Sequence, residues 1–118
     1  MTILGTVIHG KGEGRTLGYP TANLSYATNA PPENGVWITR AVVDFHIQHG
    51  LTVVGMWSEK NLPSVEVFFL HIKEDLYNKK VALSLLKKVH DLQHFENTAD
   101  LIKRIEDDVL EARKYFEH

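Results

Sequence analysis

The last part of this chain differs from everything before it. From Thr98 onward Leu101, Ile105, Val109, Ala112 and Phe116 recur at helical spacing along one face. The preceding residues form short β-prone runs cut by turn residues. These runs are Ile3 to His9, Val36 to Ile47, Leu51 to Trp57, Val65 to Ile72 and Lys80 to Val89. Pro31-Pro32 and Asn34-Gly35 punctuate the chain before the second run, and Gln48-His49-Gly50 reads as a hairpin connection after it. Ser58 to Ser64 reads as a loop, and Glu74 to Asn78 as a turn. Asn97 suits a helix N-cap, with Asp100 as a weak form of the capping-box acid. Many short strands followed by one amphipathic helix predict an all-β barrel with a C-terminal helix packed on its side. An open sheet of the same strands is the alternative.

At 118 residues the chain fits a single domain over residues 1–118. Thirteen basic and fifteen acidic residues give a net charge of -2, which predicts no nucleic-acid partner and no anionic-membrane partner. The absence of cysteine removes disulfides, thiolate metal sites and thiol nucleophiles. No apolar run approaches the roughly 18 residues of a membrane span, and no basic segment with an apolar signal core opens the chain. The expected location is the cytoplasm, and the expected state a monomer acting on small molecules.

Gly10, Gly12, Gly14 and Gly18 lie within nine positions, in a segment without apolar periodicity. Glycine lets backbone N–H groups turn toward a ligand, and successive N–H groups make an anion-binding concavity. Lys11 and Arg15 add charge for phosphate oxygens. The spacing is neither the dinucleotide fingerprint nor the P-loop, and a merely flexible connection explains it equally well on its own. Directly downstream stands Pro20-Thr21-Ala22-Asn23. A hydroxyl and an amide oxygen two residues apart in extended chain are hard ligands that suit Mg²⁺ beside nucleotide phosphates. The plainer reading is that Thr21 and Asn23 cap a turn.

The run Gly5-Thr6-Val7, His9-Gly10, Gly14-Arg15 and Leu17 to Asn23 resembles the N-terminal signature of riboflavin kinases, in which Pro-Thr-Ala-Asn is distinctive. The likeness continues more loosely through Pro32, Gly35-Val36, Val65-Glu66-Val67, Asp75-Leu76-Tyr77, Phe95 and the terminal helix with Asp107 or Asp108. It implies a six-stranded Greek-key barrel that transfers the γ-phosphoryl of ATP to the 5′-hydroxyl of riboflavin, giving FMN and ADP. It also implies roles: Gly10 to Gly18 over the phosphates, Thr21 and Asn23 on the Mg²⁺-nucleotide, with Zn²⁺ or Mn²⁺ as substitute metals, and Glu66 as the base. A carboxylate accepting the hydroxyl proton agrees with what phosphoryl transfer requires. Strand alternation puts Glu66 on the face opposite Val65 and Val67. Without the resemblance, the default for Glu66 is a solvent-facing residue.

Two segments depart from the family. Gly55 to Ser64 lacks the Asn-Pro-Thr-Phe-like element, and Val89-His90-Asp91-Leu92 stands where the family tends to have Leu-Arg-x-Glu. His90 can hydrogen-bond a phosphate but lacks the fixed positive fork of arginine. Asn78 replaces a family glycine and tolerates the same left-handed backbone. Met1 stands only four residues before Gly5, so an adenylyltransferase domain and FAD synthesis are not expected. The alternatives are a degenerate flavin- or nucleotide-binding protein of the same fold, a kinase for another alcohol, and a barrel without a ligand.

Other features have plainer readings. His46, His49, His90 and His94 form no zinc motif. Trp37 and Trp57 are expected to pack on strands, and Tyr115 and Phe116 on the barrel. Asp107-Asp108 is expected to be a solvated helix face rather than a site.

Overall fold

A computed structural model describes residues 1–8, 21–57, 62–71 and 76–117 of the chain. Six strands precede one helix: β1 (Thr2–Ile8), β2 (Thr21–Tyr26), β3 (Gly35–Val43), β4 (His46–Trp57), β5 (Pro63–Phe69), β6 (Lys80–His90) and α1 (Thr98–Phe116). The strands pair antiparallel and close in the order β1-β2-β5-β4-β3-β6. β3, β4 and β5 form a meander, while β2 pairs with β5 rather than with its sequence neighbour β3. That crossing makes the barrel a Greek key. Closure, and not an open sheet, is the outcome. It leaves no described strand with an unpaired edge.

Alternation along each strand divides the wall into two faces. Inward residues such as Val7, Leu24, Val54, Val65, Val67 and Leu83 fill the barrel. Thr39 and Thr52 are also fully buried, and their hydroxyls share a hydrogen bond of 2.9 Å. On the outer face Val36, Ile38, Leu51, Phe68 and Leu70 form a second apolar cluster beneath Val109 and Ala112 of α1. Ile105 and Phe116 pack at its margin, as the helical spacing predicts.

The helix begins where the sequence places it. Asn97 has an extended backbone, and its side-chain oxygen accepts the Asp100 N–H at 2.9 Å. The Asp100 carboxylate takes the Asn97 side-chain amide at 3.0 Å, so the reciprocal bond runs between side chains. An Asn N-cap of this kind is worth about 1 kcal/mol over alanine.

The β3–β4 hairpin corrects the expected boundary. The turn is Asp44-Phe45, with φ of 50° and 66°, and Gln48-His49-Gly50 lies inside β4. Gly50 serves packing rather than turning: a Cβ there would stand 2.8 Å from the Phe68 carbonyl oxygen. A two-residue loop with two positive φ values matches the strand twist, though placing Phe45 there costs about 1–2 kcal/mol. Asn78 has φ 69°, the left-handed backbone expected for a residue in a glycine's place.

Candidate functional site

β2 and β5 bring three of the sequence-predicted residues onto one outer surface. Ala22 and Leu24 point into the barrel core, so Thr21 and Asn23 face outward. Val65 and Val67 point inward from β5, so Glu66 faces outward as well. The register pairs Asn23 directly with Glu66, and Thr21 with Phe68. Directly opposed side chains on one face stand about 5 Å apart at Cβ. Thr21, Asn23 and Glu66 are all partly buried.

The same row extends around the wall. Ile8 pairs with Asn23 on one side, while Glu66 pairs with Val53, Val53 with Val36, and Val36 with His90 on the other. Val53 and Val36 belong to the apolar cluster under α1, and Val53 is only partly buried. The row therefore runs from polar ligands, past a carboxylate, onto an apolar seam.

Gly10, Lys11, Gly12, Gly14, Arg15 and Gly18 lie outside the described residues, as does most of the divergent loop before β5. His90 is described, and its ring is engaged within the protein. Nδ1 lies 2.7 Å from the Asp91 carbonyl oxygen and Nε2 lies 2.8 Å from Asp108 Oδ2. Neither ring nitrogen is left for a phosphate in this arrangement. Asp108 corrects the expectation of a solvated acidic pair. Asp107 is exposed, but Asp108 is 4% exposed, one turn from Ile105 and Ala112 on the packed face of α1.

Arg104 stands one turn before Asp108. Its Nε is 3.3 Å from Asp108 Oδ1, within ion-pair distance, yet the N–H is not directed at the oxygen and Nε makes no hydrogen bond. The contact is therefore a charge contact only. The segment leaving β6 is held by Lys88, whose Nζ lies 2.6 Å from Asp91 Oδ1 and 3.4 Å from Glu33 Oε2. The Lys88 hydrogen bond and charge hold the Asp91 carboxyl below its ordinary range. Sequence reading quoted Val36 and Asp108 only within the family likeness and gave no role to Val53 or Arg104. For Val36 and Val53 the available signal was that β3 to β5 carry apolar residues on both faces, which calls for a cover.

A closed Greek-key barrel with a Thr-x-Asn strand facing a glutamate strand, and one helix docked on the outer wall, defines a flavokinase-type domain. The riboflavin kinase sequence family, Flavokinase, matches residues 1–116. The chain belongs to the riboflavin kinase family. It is 34% identical over 120 residues to the bifunctional riboflavin kinase/FMN adenylyltransferase of Buchnera aphidicola subsp. Schizaphis graminum, covering 98% of this chain and 38% of that protein. It is 34% identical over 121 residues to the RNA-binding riboflavin kinase RibR of Bacillus subtilis, covering 99% of this chain and 52% of that one. It thus spans about half or less of these relatives' lengths. The crystal structure of riboflavin kinase from Trypanosoma brucei has the same fold, with a TM-score of 0.74 at 23% identity, over 98% of this chain and 76% of that one.

Proposed function

We propose that this chain phosphorylates riboflavin at its 5′-hydroxyl, taking the γ-phosphoryl group of ATP and releasing FMN and ADP. The observation that carries the proposal is the direct pairing of Asn23 with Glu66 on the outer wall. It sets a metal-ligating side chain beside a general base, and in-line phosphoryl transfer needs both within one small volume. Glu66 takes the proton of the attacking hydroxyl as the oxygen–phosphorus bond forms. The bond from the γ-phosphorus to the bridging oxygen breaks, and ADP leaves.

The residues present fit a hard divalent cation. Thr21 offers a hydroxyl, Asn23 an amide oxygen, and both stand on the face that carries a carboxylate. Thr21 and Asn23 would hold Mg²⁺, or Zn²⁺ or Mn²⁺ in its place, and the ion when bound neutralises charge on the nucleotide phosphates. Gly10, Lys11, Gly12, Gly14, Arg15 and Gly18 would cover those phosphates. The protein acts as a monomer in the cytoplasm on these small molecules, without nucleic acid or membrane as partner. Among the described residues no helix is long and apolar enough to cross a membrane.

The test is FMN formation from riboflavin and ATP, scored by chromatography with each divalent cation in turn. Production of FMN with stoichiometric ADP is expected. Failure of the wild-type protein with every metal, while flavin fluorescence is still quenched on binding, would replace this proposal with a binding protein.

A further inference from the structure

α1 docks on the outer wall mainly through apolar residues of β3, β4 and β5, and the end of β6 adds one polar contact. Most of the seam is apolar: Val36, Ile38, Leu51 and Phe68 lie against Val109 and Ala112. Hydrophobic contact is non-directional and tolerates small slides of a helix along its bed. At one edge of this seam, however, Asp108 is buried to 4% exposure and accepts a hydrogen bond from His90 Nε2 at 2.8 Å. The His90 side chain is only 13% exposed, and its other nitrogen faces the Asp91 carbonyl oxygen at 2.7 Å. Partners on two edges of the ring fix its plane, so the Asp108 carboxylate can be met in one position only.

Burying a carboxylate is costly even when it is paired, and apolar residues of similar volume often stabilise as well or better. The pair is therefore a poor explanation of stability and a good one of register. The strand pairing gives what lies along the wall beneath that register. Glu66, Val53, Val36 and His90 form one continuous row of outward side chains. The apolar middle of that row is the bed of α1, and Val53, next to Glu66, is only partly covered. The position of α1 decides how much apolar floor stays open beside the base.

We infer that His90 and Asp108 form a positioning clasp, which holds α1 at the clearance a flat apolar acceptor requires beside Glu66. The clasp sets acceptor affinity without touching the reacting atoms. Arg104 adds charge, but its Nε makes no hydrogen bond, so the directional half of the clasp belongs to His90. The inference rests on the phosphotransfer reading for the identity of the acceptor.

The test compares the wild type with the double variant His90→Leu/Asp108→Leu and with His90→Arg. Melting temperature, kcat, and the separate KM values for riboflavin and ATP are read for each. The double variant is expected to keep its melting temperature while its riboflavin KM rises about tenfold, since displacements of about 1 Å carry effects of that order or more. Its ATP KM stays unchanged. His90→Arg restores a directed bond to Asp108 and is expected to return the riboflavin KM to within about threefold of wild type. A double variant with wild-type stability and wild-type riboflavin KM overturns the clasp. If the double variant does not fold, the shape-conserving His90→Phe/Asp108→Asn, which has no ring N–H to donate and no buried charge, carries the test, and an unchanged riboflavin KM again overturns it. Quenching of riboflavin fluorescence gives the acceptor Kd whether or not turnover occurs. A wild type that binds flavin without forming FMN sinks the catalytic reading alone, and a weakened Kd in the double variant then still supports the clasp. A wild type that neither binds nor converts flavin overturns both.

Discussion

The inner and outer faces of the same barrel wall do different work, and on β2 and β5 they alternate residue by residue. Ala22, Leu24, Val65 and Val67 point inward and are buried in the core, while Thr21, Asn23 and Glu66 point outward and carry the proposed chemistry. The inner face is closed on itself and nearly uniform in chemistry, so a change there is felt as stability. The outer face sets Glu66 beside a partly buried Val53 and carries α1 over Val36, Ile38, Leu51 and Phe68, so a change in that stretch is felt as activity or as the position of the roof. A period of two lets one strand serve both ends without a loop between them.

The sharpest break between the faces is expected at Glu66. Glu66→Gln removes the base while keeping the side chain's shape, and kcat should fall by about 10²–10⁴-fold. Its unfolding free energy should stay within about 0.5 kcal/mol of wild type. Turnover and urea denaturation on the same preparation check both halves, and a large stability loss would mean that the outer face is structural after all. The inverse experiment is Leu83→Ala. Leu83 is fully buried in the barrel, and truncating it should cost about 2–5 kcal/mol of stability. Where the variant is still folded, its KM values should remain those of the wild type.

A finer comparison lies within the inner face. Among the described residues Thr39 and Thr52 form a buried polar pair inside the barrel, joined by one hydroxyl–hydroxyl hydrogen bond. Thr39→Val leaves a buried hydroxyl without this partner and should cost about 1–3 kcal/mol. The double change Thr39→Val/Thr52→Val removes both groups and should recover most of that loss, since like-shaped apolar replacements of a whole pair are nearly neutral. Denaturation of the two single variants and the double variant closes the cycle. Additive losses would show that the hydroxyls have other partners.

Much of this was legible in the sequence, and the gaps have physical causes. Short β-prone runs marked five of the strands but not β2, the spacing from Leu101 to Phe116 marked the helix face, and Asn97 marked its start. The Asp44-Phe45 turn was hidden because Phe45 is a poor residue for positive φ, whereas Gly50 looks like a turn residue but is needed where β4 approaches the Phe68 carbonyl. Asp108 was misplaced because an acidic pair on a helix usually faces water. Its partner His90 lies eighteen residues away, on a strand that only the barrel's closure brings beneath the helix. Pairing of Asn23 with Glu66 depends on β2 crossing to β5, and no local pattern encodes that register.

The smallest effect concerns the far end of the roof. Phe116 stacks on His49 with ring centroids 3.8 Å apart and planes 3° from parallel, so the last turn of α1 is tied to β4 by an aromatic contact. Burial lowers the His49 pKa from its ordinary 6.5, and the charges of Arg40 and His71 lower it further. As pH falls below 6.5, the unfolded chain takes up a proton that the folded His49 resists. The folded state therefore loses stability from that pH downward until the lower folded value is passed, and gains nothing above it. His49→Gln removes this titration. The stability difference between wild type and variant should narrow as pH drops from about 7.5 to about 5.5, as read by thermal melts at each pH. A constant difference would show that His49 titrates alike in both states. The contact with Phe116 would then hold the helix end without shielding the imidazole from water, and the seam would be tied by a directed hydrogen bond at Asp108 and by packing alone at Phe116.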